Sequence, residues 1–336
     1  MRRILVTGAA GQIGSELVPA LRERFGRDLV VGSDIRVPPI EPTSEGPFEH
    51  VDCSHVREID HAVRRHEIGA IYHLAALLSA TAEERPRVAW DVNMGGLYRV
   101  LEVARQHGCK VFFPSSIGAF GPTTPPRQTP QDTIQRPTTI YGITKVSGEL
   151  LCDYYHSRFG LDTRGLRLPG LISYVAPPGG GTTDYAVEIF HHAIRYGQYT
   201  CFLRADTRLP MMYMPDATRA ILELMETDAA RLVHRNAFNV TAMSITPAEL
   251  AAQIRVDRPS FAMDYEVDPV RQAIADSWPE QIDDAAAREE WGWKPCYDLA
   301  AMTSDMFAKL DVRLATATSK GVDATRFPCR LTSTWP

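Results

Sequence analysis

The pattern of apolar positions predicts that strands and helices alternate through the first half of the chain. Short apolar runs, rich in Ile, Val and Phe as in strands buried on both faces, lie at 4–6, 29–32, 70–74, 110–114 and 163–168. Segments with apolar residues on one helical face begin near Ser15, Ser54, Asn93 and Tyr141. This alternation predicts a parallel sheet covered by helices on both faces.

The pattern changes after residue 170, where segments become irregular and prolines interrupt them. We therefore predict an α/β fold with a doubly wound parallel sheet of the Rossmann type over residues 1–170. A smaller C-terminal substrate lobe is predicted over 171–311, with a segment near 210–240 that returns to the sheet. Residues 312–336 lack clear periodicity and are interpreted as a tail of unknown order.

Composition and charge favour an ordinary globular protein that acts on a small molecule. The 336 residues are 44% hydrophobic and carry a formal net charge of −5 without a basic run. We therefore expect neither a nucleic-acid partner nor an anionic membrane surface. The six cysteines are far apart and form no metal-ligand pattern, so we predict a cytoplasmic protein with no disulfide and no metal site.

A glycine-rich turn directly after the first strand predicts a dinucleotide site. In the run Thr7-Gly8-Ala9-Ala10-Gly11-Gln12-Ile13-Gly14, the first glycine permits the tight turn and the second lets the backbone approach a pyrophosphate. The third lets the helix pack closely on the strand, and the helix N-terminus supplies N–H donors to the pyrophosphate. This run is called the glycine turn below.

Asp34 ends the second strand at the spacing expected for a carboxylate that binds the adenosine ribose. A carboxylate there would repel a 2′-phosphate, which favours NAD over NADP. Arg36 leaves an alternative open, because an arginine could neutralise that phosphate or lie over the adenine.

Tyr141 and Lys145 stand four residues apart, which places both side chains on one face of a helix. By itself this spacing is also typical of a surface aromatic ring stacked on a lysine stem. Here the pair follows a strand that ends in Ser115 and Ser116. All four side chains are therefore predicted to meet at the carboxyl edge of the sheet, where such folds bind ligands.

Together, the glycine turn, the serines and the Tyr-x-x-x-Lys pair resemble the short-chain dehydrogenase/reductase superfamily in its extended form. The resemblance implies that Tyr141 is the acid/base, that Lys145 binds the nicotinamide ribose and lowers the tyrosine pKa, and that Ser116 orients the substrate oxygen. Lowering a tyrosine pKa from about 10 by about 3 units requires about 4 kcal/mol. One ammonium at about 4 Å, under an effective dielectric of about 20, supplies that amount, and the oxidised nicotinamide adds a second positive charge, so Lys145 and NAD⁺ together suffice. The implied reaction is oxidation of an alcohol to a ketone with hydride transfer to NAD⁺.

The same resemblance implies further cofactor contacts. Asp52 matches an acid that contacts the adenine, although it also suits a helix N-cap. Asn93 matches a structural asparagine near the active site and also suits an N-cap. The other expected cofactor residues are Leu74, Ala75, Ala76, Ser115 and Pro169.

Longer stretches resemble the L-threonine 3-dehydrogenases of this superfamily, and the likeness extends to about residue 310. These stretches are 73–83, 114–122, 169–173, 177–185, 210–214 and 275–279. They imply NAD⁺-dependent oxidation of the β-hydroxyl of L-threonine to 2-amino-3-ketobutyrate, a step of threonine degradation. Ser116 departs from a related version that carries threonine; because serine keeps the donor and the acceptor, we expect a changed KM rather than lost activity.

The implied substrate has a carboxylate, for which the sequence offers hydroxyl and N–H donors. We expect these donors to be Ser79, Thr182, Thr183 and the backbone N–H groups of Gly180 and Gly181. The glycines at 179–181 are either a lid that closes on substrate or a flexible linker.

Asp184 is the natural contact for the substrate ammonium, although it could instead cap the helix predicted at 185–196. Trp278 could form a wall of the substrate pocket, or it could be plain packing.

Two other functions stay open at this point. A nucleotide-sugar epimerase or dehydratase shares the fold and the tyrosine–lysine chemistry but retains its NAD, and Arg204 and Arg208 could serve its diphosphate. A non-catalytic NAD-sensing protein is the alternative of another class, which the presence of both Tyr141 and Lys145 disfavours. The resemblance also implies a homodimer formed by the helices that follow Asn93 and Tyr141.

Overall fold

The computed structural model describes residues 2–36, 45–176 and 179–319. The strands of these residues are β1 Arg3–Thr7, β2 Val30–Asp34, β3 Phe48–His50, β4 Ile68–His73, β5 Lys110–Ser116, β6 Thr163–Leu168, β7 Gly170–Ile172, β8 Gln198–Cys201, β9 Leu209–Tyr213, β10 Phe238–Asn239, β11 Met243–Ile245 and β12 Ala262–Tyr265.

Helices connect most of these strands. They are α1 Gly14–Phe25, α2 Val56–Arg65, α3 Ser79–Glu84, α4 Pro86–Trp90, α5 Gly96–His107, α6 Ile140–Phe159, α7 Tyr185–Tyr196, α8 Met214–Glu226, α9 Pro247–Asp257, α10 Pro269–Asp276, α11 Ala285–Trp291 and α12 Leu299–Ser319. A π-helical turn over Asp91–Gly95 joins α4 to α5, and a 3₁₀ turn over Ile117–Ala119 follows β5.

Seven strands form one parallel sheet in the order β10-β6-β5-β4-β1-β2-β3. The strand order reverses at β1, because the chain runs outward to β2 and β3 and then crosses to β4 on the other side. In such sheets this reversal opens a crevice at the carboxyl ends of the strands, where ligands bind. The predicted Rossmann-type sheet is confirmed.

The side chains of successive residues in β1 point to opposite faces of the large sheet. Ile4 and Val6 pack in one core with residues of α1 and α8, whereas Leu5 packs in the other with residues of α2, α5 and α6. Because successive side chains of a strand point to opposite faces, a short apolar run suits a strand covered on both sides. This packing fixes the glycine turn, which begins at Thr7, at the carboxyl edge.

The smaller lobe has its own core around the β11-β9-β7 sheet and the β12-β8 pair. Helices α7, α9 and α12 contribute to this core, whereas α8 and the segment around Trp291 and Trp293 pack on the large sheet. Residues 312–319 continue α12 rather than begin a tail. Met302, Met306 and Leu310 recur at a spacing of four and bury one face of this helix. Residues 320–336 lie outside the described residues.

Within the described part of the chain, no helix is long and apolar enough to span a lipid bilayer. No group of three or more potential ligands among those residues is arranged to hold a metal ion. The described cysteines are free thiols, and Cys329 lies outside this part of the chain.

Candidate active site

The glycine turn has a geometry that only glycine satisfies at its first and last positions. Gly8 has a left-handed φ of 70°, and a Cβ there would lie 2.7 Å from the backbone nitrogen of Ala75. A Cβ on Gly14 would overlap the carbonyl oxygen of Gly8, so the helix and the turn are in backbone contact. No side chain of the described residues caps the N-terminus of α1. The backbone nitrogens of Ser15 and Glu16 donate to the carbonyl oxygens of Gly11 and Ile13, so the helix offers an anion chiefly the positive end of its dipole. These features fit the pyrophosphate of NAD.

Asp34 lies buried at the end of β2 beside this turn. Its carboxylate accepts hydrogen bonds from the backbone nitrogens of Ala10 and Arg36, both at 3.0 Å. The guanidinium of Arg36 is 3.5 Å from the same carboxylate and is two-thirds exposed. Asp34 therefore ties the glycine turn to the start of the next loop, and Arg36 is held near a negative charge.

Replacing Asp34 with serine is expected to shift the cofactor preference toward NADP⁺. The substitution removes the charge that repels a 2′-phosphate and releases the Arg36 guanidinium to meet it. We expect the ratio of kcat/KM for NADP⁺ to that for NAD⁺ to rise at least about tenfold. Asp28→Ser, which changes an exposed acid at the start of the same segment, is the control. An unchanged ratio in the Asp34 variant would refute this role.

Neither alternative as an N-cap holds for Asp52 or Asn93. Asp52 accepts a hydrogen bond from the backbone nitrogen of Ser54 at 2.8 Å, whereas the residue at the N-cap position of α2 is His55. Asn93 lies inside the π-helical turn. Its side chain bonds both backbone groups of Leu77 and donates to the Thr144 hydroxyl at 3.2 Å, so it joins the loop after β4 to α6.

The loop after β4 and the segment after β6 border the glycine turn. Leu74 donates its backbone N–H to the carbonyl oxygen of Thr7 at 3.1 Å, and Ala75 lies against Gly8. Pro169 links β6 to β7, and the side chain of Gln12 reaches the carbonyl oxygen of Leu171 at 3.5 Å. The backbone segments named from the sequence thus converge at the carboxyl edge of the sheet.

Tyr141, Lys145 and Ser116 also meet at this edge. Tyr141 and Lys145 are both buried, and the lysine Nζ lies 5.3 Å from the centroid of the tyrosine ring. The Lys145 ammonium donates to the carbonyl oxygen of Pro114 at 2.6 Å. Ser116 forms a hydrogen bond with the Tyr141 hydroxyl and accepts one from the backbone nitrogen of Gly118. The ring and the ammonium are therefore held in place by β5 and α6.

Without the charge of NAD⁺, burial outweighs the groups of the protein that would lower the pKa of Tyr141. Burial raises the pKa of Tyr141 to about 12, and the hydrogen bond from Ser116 opposes this rise only in part. The estimate of a single ammonium at about 4 Å omitted the cost of burying the phenolate. Burial also lowers the pKa of Lys145 to about 8, so the amine is largely protonated at neutral pH.

The expected substrate segment lies against α3, which in turn packs on α6, the helix that carries Tyr141 and Lys145. The Thr182 backbone nitrogen donates to Ser79 Oγ at 3.3 Å, and both side chains are buried. Glu83, at the other end of α3, accepts a hydrogen bond from the backbone nitrogen of Ile140 at 2.7 Å. Tyr141 packs with Ala82 of α3. Ser79 and Thr182 are therefore connected to the tyrosine through one short helix.

Asp184 stands at the N-cap position of α7, but its side chain forms no cap hydrogen bond, because it turns back to the preceding loop. It accepts hydrogen bonds from the backbone nitrogens of Gly180 and Gly181, both at 2.8 Å. These two N–H groups are thus engaged rather than free to bind a substrate carboxylate. Burial raises the pKa of Asp184 to about 6 despite the two donors. Thr183 lies against Gly170, beside the end of β6.

The remaining predicted groups lie in the smaller lobe. Trp278 belongs to its core, and its indole nitrogen has no hydrogen-bond partner among the described residues. Arg204 and Arg208, the arginines that could serve a sugar diphosphate, form ion pairs with Asp276 and Glu249 at 2.8 and 2.5 Å. Both cations are therefore partly neutralised within the lobe.

Sequence reasoning missed Glu149, a buried carboxylate on α6 close to the tyrosine and lysine. Its only signal in the sequence is its position four residues after Lys145, which repeats the spacing of the tyrosine and the lysine. An acid at that spacing is usually solvated, so no pattern in the sequence distinguishes Glu149 from a surface carboxylate.

Several known proteins and one protein family are similar to this chain. The NAD dependent epimerase/dehydratase family matches residues 4–241. A protein of Staphylococcus haemolyticus, described as an uncharacterized epimerase/dehydratase, is 54% identical over 93% of this chain and 98% of its own length. The structure of an L-threonine dehydrogenase from Clostridium difficile has a TM-score of 0.91 and 52% identity, and covers 93% of this chain and 98% of its own.

A further solved structure, a monomeric L-threonine 3-dehydrogenase from a metagenome database, has a TM-score of 0.89 and 46% identity. The match covers 93% of this chain and 99% of that one. The likeness therefore spans the smaller lobe as well as the sheet. The chain belongs to the NAD dependent epimerase/dehydratase family, the extended short-chain dehydrogenases/reductases, and its cofactor is NAD.

Proposed function

We propose that this protein oxidises the β-hydroxyl of L-threonine to 2-amino-3-ketobutyrate with NAD⁺. The observation that carries the proposal is the close likeness to solved L-threonine dehydrogenases, which extends through the substrate lobe. The buried polar set at Ser79, Thr182 and Asp184 supports it, because a small amino acid needs hydroxyl donors and a carboxylate. The partly neutralised arginines argue against a nucleotide diphosphate.

In this proposal Tyr141 takes the proton of the substrate hydroxyl, which Ser116 holds by a hydrogen bond. Lys145 contributes its positive charge beside the tyrosine ring and binds the nicotinamide ribose. When bound, NAD⁺ accepts the hydride from the alcohol carbon and adds a positive ring charge to the site. A second cation is needed, since burial alone holds the tyrosine pKa at about 12.

We further propose that the substrate's ammonium group is bound by Asp184, and that Ser79, Thr182 and Thr183 bind its carboxylate. Asp184 is buried and already accepts two backbone hydrogen bonds, so it can present a carboxylate oxygen without reorganising the loop. In this proposal Trp278 excludes water from the substrate pocket, a role that its burial in the core of this lobe supports.

The test is a panel of amino acids and UDP-sugars incubated with NAD⁺ and followed at the absorbance band of NADH. We expect NADH to accumulate with L-threonine, and to accumulate more slowly with L-serine, which lacks the methyl group. D-Threonine is the stereochemical control. NADH formation with none of the amino acids, or turnover of a UDP-sugar without net NADH, would overturn the proposal in favour of an epimerase.

A homodimer is the second part of this proposal. Apolar side chains are exposed on the helices that cover one side of the sheet, with Tyr98 and Tyr154 each 53% and Leu150 62% exposed. Tyr98 and Tyr154 both contact the ring of Tyr155, so the exposed rings lie side by side. A contiguous apolar patch of this kind favours burial against a second copy.

Leu150→Glu is expected to convert the dimer to a monomer in sedimentation velocity, because it places a charge within the apolar patch. Val256→Glu changes an equally exposed side chain on α9, far from α6 in sequence and outside this patch, and should leave the dimer intact. A wild-type protein that sediments as a monomer at micromolar concentration would contradict the dimer.

A further inference from the structure

A buried carboxylate lies one helical turn beyond the active-site lysine. Glu149 is 3% exposed, and it follows Lys145 by four residues on α6. Residues at this spacing are neighbours on one helix face. Tyr141, Lys145 and Glu149 therefore form a row along α6, at one residue per turn.

Consecutive residues of β5 form hydrogen bonds with Lys145 and Glu149. Pro114 offers its carbonyl oxygen to Lys145, and the next residue, Ser115, donates its hydroxyl to Glu149. The Lys145 ammonium also lies 4.9 Å from the centroid of the Phe113 ring. Neither this ring nor a carbonyl group carries a formal charge, so the contacts from β5 leave the ammonium without a full counter-charge.

Two further side chains, those of Gln135 and Arg167, fix the orientation of Glu149. Gln135 donates to Glu149 at 2.9 Å, and the Arg167 guanidinium makes several hydrogen bonds to both carboxylate oxygens, the closest at 2.9 Å. Arg167 is itself held by the carbonyl oxygen of Gln131 and the side chain of Asn239. A cavity of about 270 Å³ borders Glu149 on the side away from the lysine. These hydrogen bonds therefore fix the carboxylate, although a cavity adjoins it.

The charged groups that face Lys145 from other elements do not replace Glu149. His73 of β4 is neutral, because burial and the lysine charge lower the pKa of its imidazole to about 3. Arg167 of β6 is a cation, and Glu83 of α3 is engaged at the start of α6. Burial lowers the pKa of Lys145, and Glu149 is the described group whose charge raises it.

We infer that Glu149 is a positioning residue for the active site: through the negative charge of its buried carboxylate, one helical turn from Lys145, it keeps the Lys145 amine protonated. Arg167, Ser115 and Gln135 hold Glu149 in that place. The inference deepens the proposed function, because it assigns a group that sustains the charge of the same tyrosine–lysine site. It does not depend on the identity of the substrate.

The direct test is an NMR titration of the lysine side chains in the protein without substrate. The chain contains five lysines, so the Lys145 amine signal can be assigned with a Lys145→Met variant. We expect the pKa of the Lys145 amine in Glu149→Gln to fall by about one unit or more below its value in the native protein. An unchanged pKa would overturn the inference, whatever the enzyme oxidises.

Activity supplies a second readout of the same variant. We expect the loss of activity at high pH, which follows deprotonation of Lys145, to begin at a lower pH in Glu149→Gln. The KM for NAD⁺ should rise as the ammonium loses its charge, and Glu149→Asp should recover part of the native profile. A uniform fall in kcat at every pH, with no shift of the profile, would indicate a merely structural role.

Two control variants distinguish a loss of the Glu149 charge from damage to the fold as the cause of a changed Lys145 pKa. Asp153→Asn removes a carboxylate one turn further along α6, whose partner is Asn236, and should leave the Lys145 titration unchanged. Glu149→Gln combined with Arg167→Gln removes both charges of the buried pair, and serves if the single variant fails to fold. We expect the double variant to keep the lowered lysine pKa; a return to the native value would overturn the inference.

Discussion

Replacing Tyr141 with phenylalanine is expected to lower kcat/KM for L-threonine more than about 100-fold, which is at least about 3 kcal/mol of transition-state stabilisation. The substitution removes the hydroxyl that takes the substrate proton while it keeps the buried ring beside Lys145. The affinity for NAD⁺ should stay within a few-fold of the native value, because the glycine turn and Asp34 are untouched.

Steady-state kinetics with L-threonine and equilibrium binding of NAD⁺ together test this expectation. Tyr196→Phe, which removes the hydroxyl of an exposed tyrosine at the end of α7, is the matched control. Turnover close to the native rate in Tyr141→Phe would discard the assignment of the base. A parallel loss of NAD⁺ affinity would show that the variant had damaged the fold instead.

Sites whose residues lie close together in the sequence could be predicted from the sequence alone. The glycine turn is recognisable because its glycines approach other backbone atoms closely, either within the turn itself or in the loop after β4. Tyr141 and Lys145 are recognisable because four residues is one turn of a helix. The buried strands of the large sheet were located by their apolar runs, since both of their faces are covered.

Features that depend on distant partners could not be predicted in this way. The raised pKa of Tyr141 results from burial by several elements, which no local pattern reports. Asp184 could be a cap or a ligand by sequence, and only the folded loop shows that it binds the N–H groups of Gly180 and Gly181. Glu149 resembles a solvated helix acid until Arg167, from β6, is seen to pair with it. The sequence therefore indicates the candidate reactive groups, but not the burial and the charges around them.

Gly8→Ala is expected to damage both the stability of the protein and its affinity for NAD⁺. Gly8 has a φ of 70°, so a side chain costs about 1 to 2 kcal/mol from backbone strain. Its Cβ would also lie 2.7 Å from the backbone nitrogen of Ala75 and 2.9 Å from the carbonyl carbon of Leu74. These are backbone atoms, which cannot rotate away, so the overlap adds about 1 to 3 kcal/mol to the loss of unfolding free energy.

Gly108→Ala separates the two causes. Gly108 has a similar φ of 63° at the end of α5, but a Cβ there meets nothing within 4 Å. In chemical denaturation, the loss of unfolding free energy in Gly108→Ala should therefore equal the cost of backbone strain alone. In Gly8→Ala the loss should be larger, because the cost of the overlap adds to that of the strain. Because the overlap pushes the loop after β4 away from the turn, only Gly8→Ala should weaken NAD⁺ binding, by at least about tenfold or about 1.4 kcal/mol. Equal losses of stability, with native NAD⁺ affinity in both variants, would mean that the turn does not hold the pyrophosphate.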